Sequence, residues 1–384
     1  MLQKLKLLTI FILLGASAFA QDQYLTAESE DLEKTFISKK SYKVKEFPQN
    51  FNVDKPKNII LLIGDGMGVS QVFAGLTANK GNLFLENCKY IGFSKTQSSD
   101  NYITDSAAGG TALSAGIKTY NGAIGVDVAG NTVQTILEEA SEKGLATGLV
   151  SSSAITHATP ASFIAHEASR SSYEEIAADF LKTDIDVFIG GGLDHFTNRK
   201  DGRILTDELQ EKGYQVETDI NKIKKVKEGK LAGLTAGVHN GRMDERGEML
   251  PIATNTAINV LSKNDKGFFL MVEGSQIDWG GHAASTVYIV EDMLDFDQVI
   301  GQALKFAAKD KETLVIVTAD HETGGMALTG GSIEKGIVEG AYPTGGHTAV
   351  MVPVFSYGPG AEEFIGIMEN TDIHAKMKKL LLDN

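Results

Sequence analysis

The sequence predicts an α/β fold, a three-layer sandwich in which helices cover both faces of a mostly parallel sheet. The first indication is a set of uninterrupted runs of β-branched residues and leucine, such as Asn58 to Ile63, which are typical of strands buried on both faces. The second is that amphipathic segments with a helical period separate these runs. With 384 residues, of which 42% are hydrophobic, the chain can bury a large core.

The predicted elements alternate along the chain. Strands are expected at Asn58–Ile63, Tyr90–Gln97, Leu145–Val150, Asp186–Ile189, Gly267–Glu273, Thr313–Thr318 and Val350–Tyr357. Helices are expected from the stretch Thr104–Ala112 to about Ile117, at Thr132–Lys143, around Ala161–His166, at Ser172–Lys182, at Thr254–Lys263, in a long segment ending near Ala308, and at Asp372–Leu382. Two insertions, 193–250 and 324–346, are polar or glycine-rich and are expected to shape the entrance to a site.

The N-terminus has the pattern of a secretory signal peptide in residues 1–20. Lys4 and Lys6 supply the basic region, an apolar run follows, and Ala18-Phe19-Ala20 forms a small-residue cleavage site. The run is too short to span a bilayer comfortably, so we expect cleavage and export to the periplasm or the medium. Residues 21–56 are interpreted as a polar leader that can wrap over a partner subunit, and residues 57–384 as the main domain.

Charge and cysteine content exclude several classes of protein. The net charge of −14 becomes −16 when residues 1–20 are removed, because they carry two lysines and no acid. A chain this acidic is a poor candidate for nucleic-acid binding, and we read the lysine-rich patch 222–230 as a solvated helix face. The single cysteine, Cys88, leaves no internal disulfide and is expected to be a small buried hydrophobe.

Polar residues follow four of the predicted strands at the ends where those strands stop. Asp65 follows the first strand within Gly64-Asp65-Gly66-Met67-Gly68, whose spacing is wrong for a dinucleotide loop. In a parallel sheet the carboxyl ends of the strands lie at one edge, where ligands bind. The sequence therefore predicts that these loops converge on one site: Asp65, Ser151 to Pro160, Glu273 to His282 and Asp320 to Glu322.

Ser106 is the candidate nucleophile. It lies in Thr104-Asp105-Ser106-Ala107-Ala108-Gly109-Gly110-Thr111-Ala112, which is typical of a tightly packed helix start. Free N–H groups and the dipole at a helix N-terminus favour negative charge, which suits a serine that becomes an alkoxide and then carries a phosphoryl group. Taken alone, the stretch favours ordinary helix capping by Asp105 and Ser106, and no general base adjoins the serine in sequence.

Candidate metal ligands surround this serine in the predicted fold. Asp278 and His282 are spaced i, i+4, and with Asp65, Asp320, His321 and His347 they form the mixture of carboxylates and imidazoles that suits zinc. Zinc beside Ser106 would lower the pKa of its hydroxyl, and a second zinc would stabilise the leaving oxygen. Glu273 and Thr159 offer the oxygen atoms that magnesium prefers, although a buried salt bridge explains Glu273 equally well.

Arg170 is the candidate clamp for a phosphoryl group, with Asp105 to orient it. The competing interpretation is an ordinary arginine on a surface helix. A histidine such as His157 or His347, taken alone, is more often a hydrogen-bonded core or surface residue than a ligand.

Several motifs together resemble the alkaline phosphatase family. The nucleophile stretch is similar to the family's signature, and the remaining blocks occur in the family's order over about residues 57–360. They are Ile63-Gly64-Asp65-Gly66-Met67, Lys118-Thr119-Tyr120-Asn121-Gly122, His157-Ala158-Thr159-Pro160, Val272-Glu273-Gly274, Asp278 to His282, Thr318-Ala319-Asp320-His321 and Gly346-His347-Thr348.

The resemblance implies a role for each of these residues. Ser106 would form a phosphoserine intermediate while Arg170 holds the phosphate oxygens. Asp65, Ser106, Asp320 and His321 would surround one zinc, and Asp278, His282 and His347 would bind the other. A magnesium site would share Asp65 and add Thr159 and Glu273. The implied activity is hydrolysis of small phosphate monoesters at alkaline pH, and the implied assembly is a homodimer.

Two positions depart from the family's enterobacterial pattern. His157 stands in place of an aspartate, and Trp279 in place of a lysine, as in other branches of the family. Loss of the carboxylate is expected to weaken the magnesium site and to admit zinc there. Loss of the lysine charge is expected to weaken the binding of the phosphate product.

Three alternatives remain at this stage. A phosphodiesterase of the same superfamily usually lacks an arginine placed like Arg170, and a sulfatase needs a nucleophile motif that this sequence lacks. A non-catalytic protein that binds metal or phosphate would have no need of both Ser106 and Arg170.

Overall fold

The computed structural model describes residues 31–51 and 53–383, and its largest element is a ten-stranded sheet. The predicted signal peptide lies outside the described residues. The strands of the described residues are β1 (Thr35–Ile37), β2 (Asn58–Gly64), β3 (Tyr90–Lys95), β4 (Ala146–Ala154), β5 (Val187–Gly191), β6 (Gln215–Glu217), β7 (Leu231–Leu234), β8 (Phe268–Gly274), β9 (Thr313–Thr318), β10 (Glu322–Thr323), β11 (Ala327–Ser332), β12 (Ile337–Ala341), β13 (His347–Thr348), β14 (Val352–Tyr357) and β15 (Gly366–Glu369). The strand order in the large sheet is β15-β3-β14-β9-β2-β8-β4-β5-β7-β6.

Parallel pairing prevails in this sheet, as predicted. Only β14 runs antiparallel to its neighbours β9 and β3. In the register, Ile63 of β2 lies between Glu273 of β8 and Thr318 of β9, so the three strands end at one level. All residues of these strands are buried, which explains their unbroken apolar runs.

Helices cover both faces of the sheet, which confirms the three-layer α/β fold. Along β2 the side chains alternate between two cores: Ile60 and Leu62 belong to one, and Ile59, Leu61 and Ile63 to the other. The helices are α1 (Val69–Ala78), α2 (Ser106–Ala115), α3 (Ile136–Glu142), α4 (Ala158–Ala161), α5 (Tyr173–Asp179), α6 (Leu193–Thr197), α7 (Leu205–Glu211), α8 (Ile220–Ile223), α9 (Met243–Arg246), α10 (Met249–Leu261), α11 (Gln276–His282), α12 (Thr286–Asp310) and α13 (Asn370–Leu381). No helix among the described residues has the length and apolar character needed to cross a membrane.

The structure changes several element boundaries. The helix expected around Ala161–His166 is the shorter α4, and α3 begins only at Ile136 because Thr135 caps it through a hydrogen bond from the Glu138 N–H. The stretch 193–250 contributes β6 and β7 to the edge of the main sheet, which the sequence did not predict. The lysine-rich patch 222–230 is helical only in its first residues.

Two small sheets organise the remaining segments. The stretch 324–346 holds β11 and β12, and β1 of the leader pairs with β12. The leader packs on its own chain, where the Tyr42 hydroxyl donates to Asp297 at 2.6 Å. A second ladder, between β10 and β13, places His347 opposite Thr323 and thus next to the end of β9.

Candidate active site

The carboxyl edge of the sheet brings together most of the residues that the sequence predicted for the site. Asp65 follows β2, Glu273 lies at the end of β8, and the pair Asp320-His321 follows β9. These four side chains are almost fully buried. Gly66 has a φ of +72°, and a Cβ there would lie 2.7 Å from the Asp278 Cα, so glycine is required for α11 to approach Asp65.

Ser106 is the first residue of α2, at the helix N-terminus that the sequence predicted. Asp105 caps the helix, since its Oδ1 accepts a hydrogen bond from the Ala108 N–H at 3.0 Å. The Ser106 Oγ lies 3.2 Å from the His321 Nε2, so an imidazole adjoins the serine in space although none does in sequence. A Cβ on Gly109 would lie 3.1 Å from the Asp320 Cβ, which explains the small residue there.

The first group of candidate ligands is Asp65, Asp320 and His321. The His321 Nε2 lies 3.4 Å from Asp65 Oδ1 and 3.3 Å from Asp320 Oδ2. Within residues 31–51 and 53–383, no hydrogen bond reaches either carboxylate oxygen of Asp65 or Oδ2 of Asp320. Burial, together with the Asp320 charge, raises the pKa of Asp65 well above its usual range, and burial raises that of Asp320 to about 7. Such a cluster favours a bound cation.

The second group is Asp278, His282 and His347. The Nδ1 atoms of His282 and His347 face the carbonyl oxygens of Gly345 and Thr104, at 2.6 and 2.9 Å. Because a carbonyl can only accept, each Nδ1 carries a hydrogen, so each Nε2 presents a lone pair when its ring is neutral. The Asp278 charge raises the pKa of His282 to about 9, so a cation that binds this Nε2 has to displace a proton. These Nε2 atoms are 3.2 Å apart and lie 3.3 and 3.6 Å from the Asp278 carboxylate. Fixing the outer nitrogen in this way is typical of metal-binding histidines.

The third group is Asp65, His157 and Glu273. The Glu273 Oε2 accepts hydrogen bonds from the hydroxyls of Ser151 and Ser275, both at 2.6 Å. No hydrogen bond from the part of the chain that is described reaches Glu273 Oε1 or the buried hydroxyl of Thr159. Glu273 is therefore held by serines and not by a buried salt bridge, with one oxygen left for a ligand.

Arg170 reaches the site from the loop between α4 and α5. It donates from one terminal nitrogen to Asp105 Oδ2 at 3.1 Å and from the other to His157 Nε2 at 3.2 Å. Burial works against its charge, but Asp105 outweighs this effect and raises the pKa of Arg170 above its ordinary value. The guanidinium therefore stays charged beside Ser106 and is not an ordinary arginine of a surface helix.

Two residues of the site, Thr323 and His239, were not predicted, and a third, Glu322, was predicted only as part of a strand-end loop without a role of its own. The Thr323 hydroxyl donates to Asp278 and lies 3.2 Å from the His321 Nδ1, so it contacts one residue in each of the first two groups of candidate ligands. Glu322 accepts from the Gln71 side chain at 2.7 Å and from the Thr348 hydroxyl, which fastens β10 to β13. His239, from the stretch 193–250, packs against Trp279 and His157. Only Glu322 had a sequence signal, its place in the strand-end loop after β9.

Comparison with known proteins identifies the family. The family model described as alkaline phosphatase matches residues 56–340, about three quarters of the chain. The chain belongs to the alkaline phosphatase family. Its similarity to alkaline phosphatase 3 of Bacillus subtilis is 39% identity, covering 87% of this chain and 90% of that protein. The chain is 33% identical to the alkaline phosphatase of Escherichia coli, and the alignment covers 85% of this chain and 87% of that protein.

Solved structures of alkaline phosphatases agree. The enzyme of the Antarctic bacterium TAB5 is 45% identical and superposes with a TM-score of 0.81, covering 86% of this chain and 98% of that one. The Thermus thermophilus enzyme, at 24% identity, shares the fold with a TM-score of 0.80, covering 88% and 93%. This alkaline phosphatase chain is accordingly a metal-binding hydrolase, a phosphomonoesterase.

Proposed function

We propose that the protein hydrolyses phosphate monoesters at alkaline pH through a phosphoserine intermediate on Ser106. The observation that carries this proposal is the placement of the Ser106 Oγ at the N-terminus of α2, 3.2 Å from the His321 Nε2. That nitrogen also faces Asp65 Oδ1 and Asp320 Oδ2, two buried oxygens that no hydrogen bond from residues 31–51 and 53–383 reaches. The competing role for His321 is a general base. Its Nε2, however, also faces Asp65 and Asp320, which favours its use as a metal ligand.

Two zinc ions and one magnesium ion fit the three groups. Zinc takes mixtures of imidazole nitrogen and carboxylate oxygen, which suits Asp65, Asp320 and His321 with Ser106 for one ion, and Asp278, His282 and His347 for the other. Asp65 and Glu273 offer oxygen for magnesium, and the buried Thr159 hydroxyl, which no hydrogen bond within the described residues reaches, would add to them. The imidazole of His157, which groups with Asp65 and Glu273, suits zinc in place of magnesium. A TAB5 mutant with aspartate in place of a histidine holds magnesium in its M3 site, which supports a site of this kind.

Ser106 and Arg170 have different roles in the proposed reaction. The Ser106 Oγ attacks phosphorus, forming the phosphoserine bond as the bond from phosphorus to the alcohol oxygen breaks. Water then attacks phosphorus, the Ser106 oxygen leaves and phosphate is released. The Arg170 guanidinium has five N–H groups, and within the described residues two of them donate to Asp105 and His157, so the others would hold phosphate oxygens. Bound zinc would supply a lowered hydroxyl pKa and charge stabilisation at the leaving oxygen.

Alkaline pH favours this chemistry for a physical reason. The attacking serine and the attacking water must both lose a proton, and no acid catalyst is needed where a cation stabilises the leaving alkoxide. The helix N-terminus beneath Ser106 adds a smaller stabilisation of negative charge.

The test compares p-nitrophenyl phosphate with bis(p-nitrophenyl) phosphate on protein that lacks residues 1–20 and is loaded with zinc and magnesium. Monoester turnover should exceed diester turnover by orders of magnitude. Ser106→Ala should lower it by roughly a thousandfold or more while the bound metal, measured by plasma emission, stays unchanged. Diester preference would favour the phosphodiesterase. A wild-type protein that binds metal and phosphate without turnover would support the alternative of a non-catalytic binding protein. An active Ser106→Ala enzyme would show that Ser106 is not the nucleophile.

Export and dimerisation complete the proposal. The signal-like residues 1–20 support a periplasmic or secreted location. Support for a homodimer comes from the sheet edge, where the paired residues Phe93 and Ile367 and, two residues along β3, Ile91 expose apolar side chains. Light scattering on the protein as it elutes from a size-exclusion column should give twice the monomer mass. The Phe93→Glu variant should give the mass of the monomer. A wild-type monomer would contradict this part.

A further inference from the structure

His239 completes a set of three perpendicular rings beside the site. Its ring lies 5.2 Å from that of Trp279 and 5.7 Å from that of His157, at interplanar angles of 90° and 84°. The rings of His157 and Trp279 are themselves 6.1 Å apart at 88°. We call His157, His239 and Trp279 the ring triad. Each pair has the edge-to-face arrangement that aromatic rings prefer, so each ring restricts the rotation of the other two.

The loop that carries His239 is held firmly on the sheet. Next to β7, the Thr235 N–H donates to the Gly190 carbonyl at 2.7 Å, and the Thr235 hydroxyl donates to the Asn240 side chain at 2.8 Å. The Gln276 side chain of α11 donates to the carbonyls of Asn240 and Gly241, at 2.9 and 3.1 Å. His239 is therefore fixed between β5 and the helix that carries Trp279.

A hydrogen bond fixes the orientation of the His239 ring as well. Its Nδ1 lies 3.1 Å from the backbone nitrogen of Ala154, which can only donate, so Nδ1 accepts and the hydrogen of the neutral ring is on Nε2. Ala154 is the last residue of β4, three positions before His157. One contact thus joins His239 to the strand end from which His157 projects.

Two rings of the triad adjoin residues of the candidate site. His157 accepts a hydrogen bond from Arg170 at 3.2 Å, so a rotation of the His157 ring would remove one of the two partners that aim the guanidinium. Trp279 follows Asp278 directly on α11. We propose that His239 is a positioning residue that locks the rings of His157 and Trp279 and so aims Arg170 at phosphate. This inference rests on the proposed role of Arg170.

Trp279 is the single tryptophan of the chain, which provides a direct readout. Its emission depends on the groups around the indole, so it reports the ring triad without any turnover measurement. His239→Asn keeps an acceptor for the Ala154 N–H but removes the ring, whereas His239→Phe keeps a ring and removes the acceptor. With metal-loaded enzyme, inorganic phosphate is titrated by calorimetry, and the emission spectrum is recorded for each variant.

His239→Asn should weaken phosphate binding at least fivefold and shift the Trp279 emission. The phosphate affinity of His239→Phe should stay within twofold of that of wild type. In an Arg170→Ala background, His239→Asn should change phosphate affinity by less than twofold. His374→Asn, which removes a buried imidazole against Gly116 at the far end of α2, is the control and should leave both readouts unchanged.

Three results would overturn the inference. The first is a His239→Asn enzyme whose phosphate affinity is within twofold of wild type. The second is an equal loss of phosphate affinity in His239→Asn and His239→Phe. The third is a His239→Asn loss of phosphate affinity that persists in the Arg170→Ala background. If His239→Asn does not fold, His239→Leu against His239→Phe makes the same comparison of aliphatic with aromatic packing. An Arg170→Ala enzyme with unchanged phosphate affinity and intact turnover would instead refute the role of Arg170 itself, so the two failures are distinguishable.

Discussion

Asp105 and Arg170 form an ion pair in which the carboxylate serves two elements at once. Oδ2 accepts from the guanidinium at 3.1 Å, while Oδ1 caps the helix that begins at Ser106. Oδ2 also accepts from the Gly122 N–H at 3.0 Å, which ties the carboxylate to the loop that follows that helix. The nucleophile and the phosphate clamp are thus aligned by one side chain.

Asp105→Asn should separate these two roles. Asparagine keeps one oxygen that can cap the helix, but its NH2 then faces the Arg170 and Gly122 N–H groups from which Oδ2 accepts, so the midpoint of thermal unfolding should fall, though less than in Asp105→Ala. The charge that aligns Arg170 is lost, so the KM for a monoester should rise about tenfold, as for other charge-assisted hydrogen bonds. Asp105→Ala should show the same kinetic loss and a further loss of about 1 kcal/mol in unfolding free energy. Equal KM values for wild type and Asp105→Asn would contradict the alignment.

Trp279→Lys should tighten the binding of inorganic phosphate. Trp279 is only 6% exposed and lies beside His157, so a lysine ammonium there would place a positive charge near the phosphate. The inhibition constant of phosphate in the monoester assay measures the effect. Trp279→Gln is the matched control, because it removes the ring without adding charge. A lysine variant that binds phosphate no better than wild type would show that this position does not control product affinity.

The site could be predicted from sequence where its residues follow buried strands. Unbroken apolar runs gave a strong signal for β2, β8 and β9, and parallel pairing then required Asp65, Glu273 and Asp320 to meet at one edge. The strands β6 and β7 were missed because they are only three and four residues long within a polar stretch. Strands this short carry little periodicity, so their pairing with neighbouring strands decides whether they form.

His239 could not be predicted for a different reason. It lies 82 residues from His157 and 40 from Trp279 along the chain, and no spacing links the three. The pairing of β5 with β7, together with contacts from Gln276 and Ala154, brings its loop to the site. By contrast, Asp278 and His282 share a helix and were visible at i, i+4.

Arg246→Met should be strongly destabilising. Arg246 on α9 donates to Asp292 at 2.6 Å and to Asp295 at 2.7 Å, and all three side chains are nearly buried. Removing the arginine leaves two buried carboxylates without their cation, which should cost about 3–5 kcal/mol of unfolding free energy in urea. Arg203→Met, which breaks the exposed pair with Glu208, should cost about 1 kcal/mol or less. Similar losses in the two variants would contradict the importance of burial.

Asp297 should make the fold less stable as pH rises from about 4 to about 6. Burial raises the pKa of Asp297 to about 6, although the Tyr42 hydroxyl and the N–H groups of Phe84 and Leu85 stabilise the charged form and Glu86 opposes it. The folded state then binds more protons than the unfolded state across this window. The stability contributed by the neutral carboxyl is therefore complete below the unfolded pKa and lost as pH passes the folded one.

Asp297→Asn removes this titration, so it tests the sign directly. The wild-type unfolding free energy in urea should fall between pH 4 and pH 7 by about 2–3 kcal/mol more than that of the variant, from a shift of about two pKa units. Asp54→Asn, at an exposed position of the leader, is the control and should keep the wild-type pH dependence. A variant whose stability falls with pH as steeply as wild type would show that Asp297 is charged throughout, held by its three donors against the cost of burial.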